Sequence, residues 1–482
     1  MLTAKLHPVY QLTIDAIQSV RDAVAGSTFV KDKTTDYLPN PSEVDTTSTD
    51  SKARYARYVQ GAEWDAYPEQ TLRSMLGKLK VDSTVVELPD SVGYLVEDTD
   101  GDGMSLKAMM QQSANEVIQV KWQLLVADYQ GLTDVAIDSL SVADLQAMNN
   151  RAVIKAYSRE NVVFWHFARV NGKLQLAYIM LREVGSIFDQ SKLTETEVTS
   201  YLVLALDEDG DYYQLKYAQT KDGGLAEGQR NYVSIGGQPL KWLPIQLVMD
   251  EQGVTGHLPK ELGFLAPICE LTYARYQMSA EYKEAMRCMP PTRDIQGMTP
   301  AAFDQFKDMN GRSYYATGAN AVNFMPDGAS TALNSSNMEV AFYERYFADN
   351  EAKIRSLGGV IVSDSMSDKT ATEVTTNTAE QNARLSAIAD GIEAAYKRIV
   401  SYCMMFEGAA QQDSVEQAME QITIELSRDF AASKMTTDEV RAVQELVLSG
   451  LYTKQMAVKA LIAGGWADGD ADSILADLET TV

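Results

Sequence analysis

The runs LGFLAPICELTYARYQMSAEYKEAMRCM (262–289) and MEVAFYERYFADNEAKIRSL (338–357), with the segment between them, decide how this chain is organised. In the first, Ile268, Leu271, Met278, Tyr282, Ala285 and Met289 recur at three- and four-residue spacing, interrupted by Arg275. In the second, Val340, Tyr343, Phe347, Ile354 and Leu357 repeat the pattern, interrupted by Asn350. Apolar residues so spaced form one stripe of an α-helix. A stripe this narrow suits an elongated part or a seam between subunits better than a compact enzyme core. A third long helix is expected from about Thr370 to Phe406, through Leu385, Ile388, Ile392, Ala395, Ile399 and Tyr402. Ser336-x-x-Glu339 and Thr370-x-x-Glu373 have the capping-box spacing that opens the second and third helices.

Between the first two helices, residues 290–328 contain the breakers Pro290-Pro291, Asn310-Gly311 and Asp327-Gly328. Short extended runs at 313–316 and 321–324 make a small β-ribbon insert the expected form. Between the second and third helices, Gly358-Gly359 opens a segment that loses its apolar character and ends as the polar loop Ser363, Asp364, Ser365, Met366, Ser367, Asp368, Lys369. Taken alone, that loop reads as a plain surface connection.

Upstream, helices are expected at 8–25, 53–67, 68–79 and 105–128, with a polar, exposed arm at 31–51. From 152 to about 250 the pattern turns to strands at 153–157, 162–169, 174–181, 201–206, 212–217 and 245–249. Asn171-Gly172 and Asp209-Gly210 supply hairpin turns. After the third helix, 421–426 alternates as a strand, and 435–478 reads as two or three short helices. The fold class is therefore α+β.

Sixty-seven Asp and Glu against 42 Lys and Arg give a formal net charge of −25, spread along the chain. A conventional nucleic-acid binder gains affinity by neutralising phosphates with Lys and Arg, and this chain lacks the surplus. If DNA is a partner, the relation is passage without adhesion. Cys269, Cys288 and Cys403 form no CxxC pair, which argues against a disulfide framework or zinc site and for a reducing cytosol. Residues 1–8 show no basic region leading into an apolar stretch, so no signal peptide is read, and no apolar run has membrane-spanning length.

Asp98-Thr99-Asp100-Gly101-Asp102-Gly103 opens like a calcium loop, but Met109 stands where the bidentate Glu belongs, and Ser105 reads better as a helix cap. Asp468, Asp470 and Asp472 come closer, with Leu475 and Glu479 in place, although Ser473 replaces the turn glycine. Acidic residues at a helix start explain the same letters, and whether this segment binds a cation stays open. His7, His166 and His257 share no metal-ligand spacing. No P-loop, GxSxG or HExxH motif is present, so neither a catalytic residue nor a cofactor or metal site is assigned, and the chain is not read as an enzyme.

Several scattered residues resemble the portal (head-to-tail connector) proteins of tailed double-stranded-DNA bacteriophages, in particular a branch known only as an uncharacterised phage domain. They are Tyr55-x-x-Tyr58 with Ala62, Tyr67, Thr71 and Leu76-Gly77; Trp122 to Tyr129, similar to a helix-to-strand junction; and Tyr157 to Trp165. Pro267 to Tyr282, closed by Pro290-Pro291, is similar to a stem helix. Thr370-Ala371-Thr372-Glu373-Val374 leading into Arg384 to Ala389 resembles the opening of the long channel-proximal helix.

The resemblance implies a wing at 1–260 (β-rich at 152–250), a first stem helix at 261–289, a clip at 290–330 and a second stem helix at 331–357. A tunnel loop at 358–372, a channel helix with return strand at 373–427 and a crown at 428–482 complete it. It further implies a homo-oligomeric, dodecameric ring at the capsid vertex, through which double-stranded DNA is packaged and ejected. The implied partners are the large terminase, the major capsid and scaffolding proteins and a head-tail adaptor, with no membrane. The implied location is the virion, with the host cytoplasm during assembly. Ser363 to Lys369 would face DNA. Arg345, Lys353 and Arg355 are candidate channel-facing cations, for which ion pairing between subunits is the plainer explanation. Arg293, Gly297, Gly311, Tyr314 and Tyr315 are clip and adaptor-docking candidates. The competing expectation is another phage or mobile-element structural component, such as a minor capsid protein; a cytosolic enzyme is a weaker third.

Overall fold

The computed structural model describes residues 6–41, 49–130, 151–170, 172–190, 193–219, 225–235, 237–250, 256–288, 292–314, 323–334, 340–358, 371–412, 414–428 and 430, with parts of 441–463. Its helices are α1 (Pro8–Ala25), α2 (Ser27–Asp32), α3 (Thr49–Gly61), α4 (Tyr67–Leu79), α5 (Leu106–Val120), α6 (Ala266–Cys288), α7 (Pro300–Asn310), α8 (Val340–Ser356), α9 (Ala371–Phe406), α10 (Val415–Met419) and α11 (Lys454–Ala463). The strands that matter most are β1 (Val85–Glu87), β2 (Trp122–Gln130), β3 (Arg151–Ser158), β4 (Val162–Val170), β5 (Lys173–Asp189), β6 (Thr194–Leu206), β7 (Tyr212–Gln219) and β8 (Leu225–Glu227). Short strands β9 (Asn231–Tyr232), β10 (Ser234–Ile235) and β11 (Gln238–Pro239) follow. The rest are β12 (Ile245–Met249), β13 (Thr292–Gln296), β14 (Ser330–Asn334) and β15 (Thr423–Glu425). This is an α+β chain. It divides into two compact units, the first of Met1–Val24, Tyr67–Cys269 and Gly358–Val482, the second of Ala25–Ala66 and Glu270–Leu357. Residues 25–66, read from sequence as part of 1–260, thus cluster with 270–357.

In the first unit, β12-β2-β3 make a three-stranded antiparallel sheet, and β4 to β8 form a second sheet in simple sequence order. The β4–β5 hairpin turns at Gly172 (φ +80°), as the Asn-Gly pair anticipates. At the β6–β7 turn, the Asp207 carboxylate accepts from the backbone N–H groups of Asp209 and Asp211 at 3.0 and 2.8 Å. Trp122, Leu124, Val126, Val162, Ile179, Leu181, Leu204 and Tyr212 are buried in one apolar cluster.

The helix expected over 105–128 is two elements. Ser105 caps α5 by accepting from the Ala108 N–H, the helix stops at Val120, and Lys121 turns the chain at φ +83°. Residues 122–130 then form the central strand of the three-stranded sheet. Gln123, Leu124, Leu125, Val126 and Ala127 are all buried, so neither face alternates with solvent. An apolar run buried on both faces lacks the period that separates strand from helix.

Helix α9 packs on this sheet and on α5. Gly391 marks a close approach: a Cβ there would stand 1.8 Å from the Met249 carbonyl oxygen at the end of β12. Only a residue without a side chain lets helix and strand backbones meet so closely. In α1, Arg21 is held in a polar cluster, donating to Glu116 (2.5 Å), Glu160 (3.0 Å) and the Gln119 side chain (3.0 Å). Burial pushes the Glu116 carboxyl up, and the adjacent guanidinium opposes that shift.

The second unit is smaller. Val30, Leu38, Tyr58, Ala62, Tyr276 and Ala280 form its core, with Tyr37, Tyr55, Trp64 and Tyr273 packed around them. The exposed arm expected at 31–51 is in part structured. Leu38 is 1% exposed, and its carbonyl accepts from the Tyr55 hydroxyl at 2.6 Å. Tyrosine rings offering both an apolar body and a hydroxyl explain how so polar a stretch is tied down.

Replacing Gly391 by Ala should overpack the α9–β12 contact and destabilise the first unit by about 1–3 kcal/mol. Chemical denaturation followed by tryptophan fluorescence checks this, and an unchanged midpoint would refute the close approach.

Candidate functional site

The helix pair that opened the sequence reading belongs to the second unit beyond Cys269 and is antiparallel. Asn350 of α8 lies against Leu271 of α6, Phe347 against Arg275, and Tyr343 against Tyr282. The two residues that break the apolar stripes are the ones that fasten the helices. Asn350 is 4% exposed and donates through Nδ2 to the Leu271 carbonyl at 3.0 Å. Arg275 places its guanidinium 4.9 Å from the Phe347 ring centroid and donates to the Phe347 carbonyl at 3.0 Å. Its Nε donates to Asp65, which follows α3. Hydrogen bonds to a charged donor in a partly dry seam are stronger than neutral ones. A period count registers such residues only as flaws.

At the far end of the pair stands the insert. The ribbon is present, but its strands are β13 and β14, paired antiparallel from Thr292↔Asn334 to Gln296↔Ser330. The runs expected at 313–316 and 321–324 are not strands where described; residues 313–314 are a bend and 323–324 have no regular structure. Between β13 and β14 lies the helix α7, which the sequence reading missed. Its signals are all present. Thr299 caps it by accepting from the Ala302 N–H, Pro300 holds its first position, and Gly311 ends it in the left-handed region at φ +68°.

Among the docking candidates, Arg293 lies on β13 opposite Leu333, Gly311 is the α7 cap, and Tyr314 is 67% exposed. Gly297 sits at φ +75° where a Cβ would meet the Gly328 carbonyl oxygen at 2.5 Å, so it closes the ribbon. Tyr315 lies outside the described residues. Phe303, Met309 and Phe324 join Tyr314 as exposed large apolar side chains on the insert. They had not been singled out from sequence.

The loop candidates Ser363, Asp364, Ser365, Met366, Ser367, Asp368 and Lys369 also lie outside the described residues, as do the capping residues Ser336, Glu339 and Thr370 and the acidic segment 468–479. The near end of the loop is described. The Gly358 carbonyl accepts from the Gln381 side chain at 3.0 Å, and Gln381 accepts in turn from Lys78 at 3.0 Å. Burial lowers the Lys78 pKa. The three basic candidates on α8 differ. Arg345 is 85% exposed in its side chain, with Asp349 at 3.9 Å; Lys353 is exposed; Arg355 donates to Glu351 at 2.6 Å. Within the chain, Arg345 and Arg355 each have a carboxylate of their own helix as partner.

The 98–103 turn uses its carboxylates locally. Asp98 accepts from the Gly101 and Gly103 N–H groups, both at 2.9 Å, and pairs with Arg151, while Asp100 accepts from Asp102 and Met104. Desolvation pulls the Asp98 carboxyl upward, but the Gly103 N–H, Arg151 and the Gly101 N–H outweigh it and hold it below the ordinary value. Among the described residues no group of three His, Cys, Asp or Glu is placed to hold a metal ion. Cys269 and Cys403 are both buried, and burial pushes the Cys403 thiol up. None of the described helices is long and apolar enough to cross a membrane.

Residues 265–407 match the sequence model of a domain of unknown function, DUF4055. The matched segment coincides with the helix–insert–helix–loop–helix order read above. No curated protein matches the chain. Among solved structures, the chain is similar to one in the neck of an empty GTA particle computed with C6 symmetry. There the TM-score is 0.40 at 10% identity, covering 82% of this chain and 90% of that one.

Two outcomes test this geometry. Replacing Arg275 by Met should cost about 1–3 kcal/mol, since it strips the charged donor from Asp65 and the Phe347 carbonyl; a denaturation midpoint equal to that of the parent would argue against the tie. A depressed folded-state pKa at Asp98 gives a stabilisation present above its unfolded value, about pH 4, and lost as the pH falls through the folded value. Asp98→Asn should therefore be less stable than the parent at neutral pH, with the difference closing in acid. A difference that stays constant down the acid series would contradict the assignment.

Proposed function

We propose that this chain is a phage portal, the head-to-tail connector whose copies form a closed ring at the capsid vertex and give DNA a channel. The observation that carries the reading is the antiparallel α6–α8 pair with a β-ribbon insert at its far end. Such a pair is the natural stave of a tubular wall. Side by side in a ring, staves bury faces that one chain leaves in solvent, and α8 has such a face: Phe342 is 60% exposed and Arg345 stands outward beside it. Closed symmetry is the usual outcome when one patch binds another on a neighbouring copy.

In this reading the insert is the clip, and its exposed Phe303, Met309, Tyr314 and Phe324 make the apolar anchor that the packaging motor and later the tail adaptor engage. Large exposed aromatics are the residues from which interface hot spots are built. Ser363 to Lys369, leaving the pinned Gly358 and entering α9, forms the tunnel loop beside DNA, with Lys353 the first cation of α8 to place near it. The −25 charge then has a role, because an acidic wall repels phosphate and keeps a translocating duplex from adhering. Work comes from a separate ATPase, the terminase, and the chain performs no chemistry.

Purified protein imaged by negative stain should show rings with a central hole. Only monomers and dimers, over a range of concentration and salt, would count decisively against the proposal. Deleting residues 290–328 should leave rings but abolish terminase capture; if ring formation is lost instead, the insert is not a clip.

A further inference from the structure

Strand β5 is 17 residues long and β6 is 13, and both outrun the sheet that holds them. β4 follows β5 only to the pair Val162↔Leu181, and β7 follows β6 only to Ser200↔Ala218. The pairs from Val184↔Thr199 to Asp189↔Thr194 therefore form a two-stranded ribbon. Among the described residues no further strand joins it on either edge. Such a ribbon is at best marginally stable in water by itself.

Every residue from Val184 to Phe188 and from Leu193 to Glu197 is exposed. Cross-strand partners share a face, so Val184, Ser186 and Phe188 lie with Glu195 and Glu197 on one side. Ile187 lies with Thr196 on the other. Val184 is 53% exposed, Ile187 62%, Phe188 60% and Leu193, at the tip, 79%. Large apolar side chains thus stand on both faces, and neither face is covered. The two edges differ. Natural sheets guard a free edge with charges, prolines or bulges. The run Val184-Gly185-Ser186-Ile187-Phe188 has no charge or proline and keeps one register with β6 throughout. The β6 edge carries Glu195 and Glu197. Two β6 edges brought together would set these carboxylates against one another, which opposes pairing. The uncharged β5 edge meets them without that cost.

We propose that the ribbon's partner is the ribbon of a second copy of this chain, the β5 edge of one copy adding to the β6 edge of the next. This contact rests on the ring reading above. Rotation about one axis repeats every ribbon in the same sense, so β5 of one copy and β6 of its neighbour run in opposite directions, as they do inside the chain. The contact is heterologous: it uses both edges of every ribbon and closes when the ring closes. Backbone hydrogen bonds supply the affinity, while Val184, Ile187 and Phe188 leave water. A polyanion is a poor occupant of the same surface, because Glu195 and Glu197 repel phosphate.

Cross-linking of the full-length chain reads the pairing directly. Ser186→Cys and Glu197→Cys lie on one face of the ribbon, on different strands. Rings assembled from an equal mixture of these two single variants should give disulfide-linked dimers on mild oxidation, and neither variant alone should. Val184→Cys and Phe188→Cys on β5, each mixed with Glu195→Cys or Glu197→Cys, cover the neighbouring registers. A second variant, Ile187→Lys with Phe188→Lys, replaces buried apolar contact by charge. It should raise the protein concentration at which half the rings dissociate by about tenfold or more. Both side chains are exposed in the single chain, so its melting temperature should not change. Failure of every mixture to cross-link, or ring stability unaltered in the lysine variant, overturns the contact and leaves the ring reading standing. Dimers from Ser186→Cys alone overturn it in favour of a twofold β5–β5 contact. A parent chain that forms no rings overturns both.

Discussion

Arg275 is the residue on which the second unit turns. One guanidinium faces three demands at once: the Phe347 ring, the Phe347 carbonyl and the carboxylate of Asp65. That combination joins α6 to α8 and to the segment after α3. Asn350 repeats the device about one turn further along α8, between Phe347 and Ile354 of the stripe. Leucines at both positions would pack as well, yet they would not distinguish one register of two striped helices from the next. A buried polar pair does, because any slip leaves a donor without its acceptor.

The sequence made these helices visible because each keeps one period over several turns, and the capping and turn residues around them have local causes. Elsewhere the period was missing. The strand from Trp122 to Gln130 has a core buried on both faces, and so it alternates with nothing. The insert misled for a different reason: Ser313 to Ala316 has strand-like letters, whereas the true strands β13 and β14 find each other across more than thirty residues. α7 could have been read from Thr299-Pro300 and Asn310-Gly311, whose cap and stop are local. That His7, His166 and His257 border one hollow could not, since these positions meet only through the tertiary fold.

Acidity is spread through this chain, and part of it is consumed in shaping the backbone. Asp98, Asp100 and Asp207 each accept two main-chain N–H groups within a turn, and Arg21, Arg151 and Arg275 each neutralise a carboxylate inside their own unit. Those cations are engaged in holding the protein together. Beyond these pairs the chain as a whole keeps its surplus of negative charge, −25 formally.

Helix α9 is 36 residues long, roughly 54 Å at the standard rise. Gly391 rests on Met249 some twenty residues from its start, dividing it into arms of roughly 30 and 22 Å. Two backbones in direct contact cannot slide past each other as side chains can. The contact therefore fixes the position of the rod along its own axis, and beyond it the fully buried Tyr396, Ile399, Val400 and Cys403 bed the shorter arm in the core of the first unit.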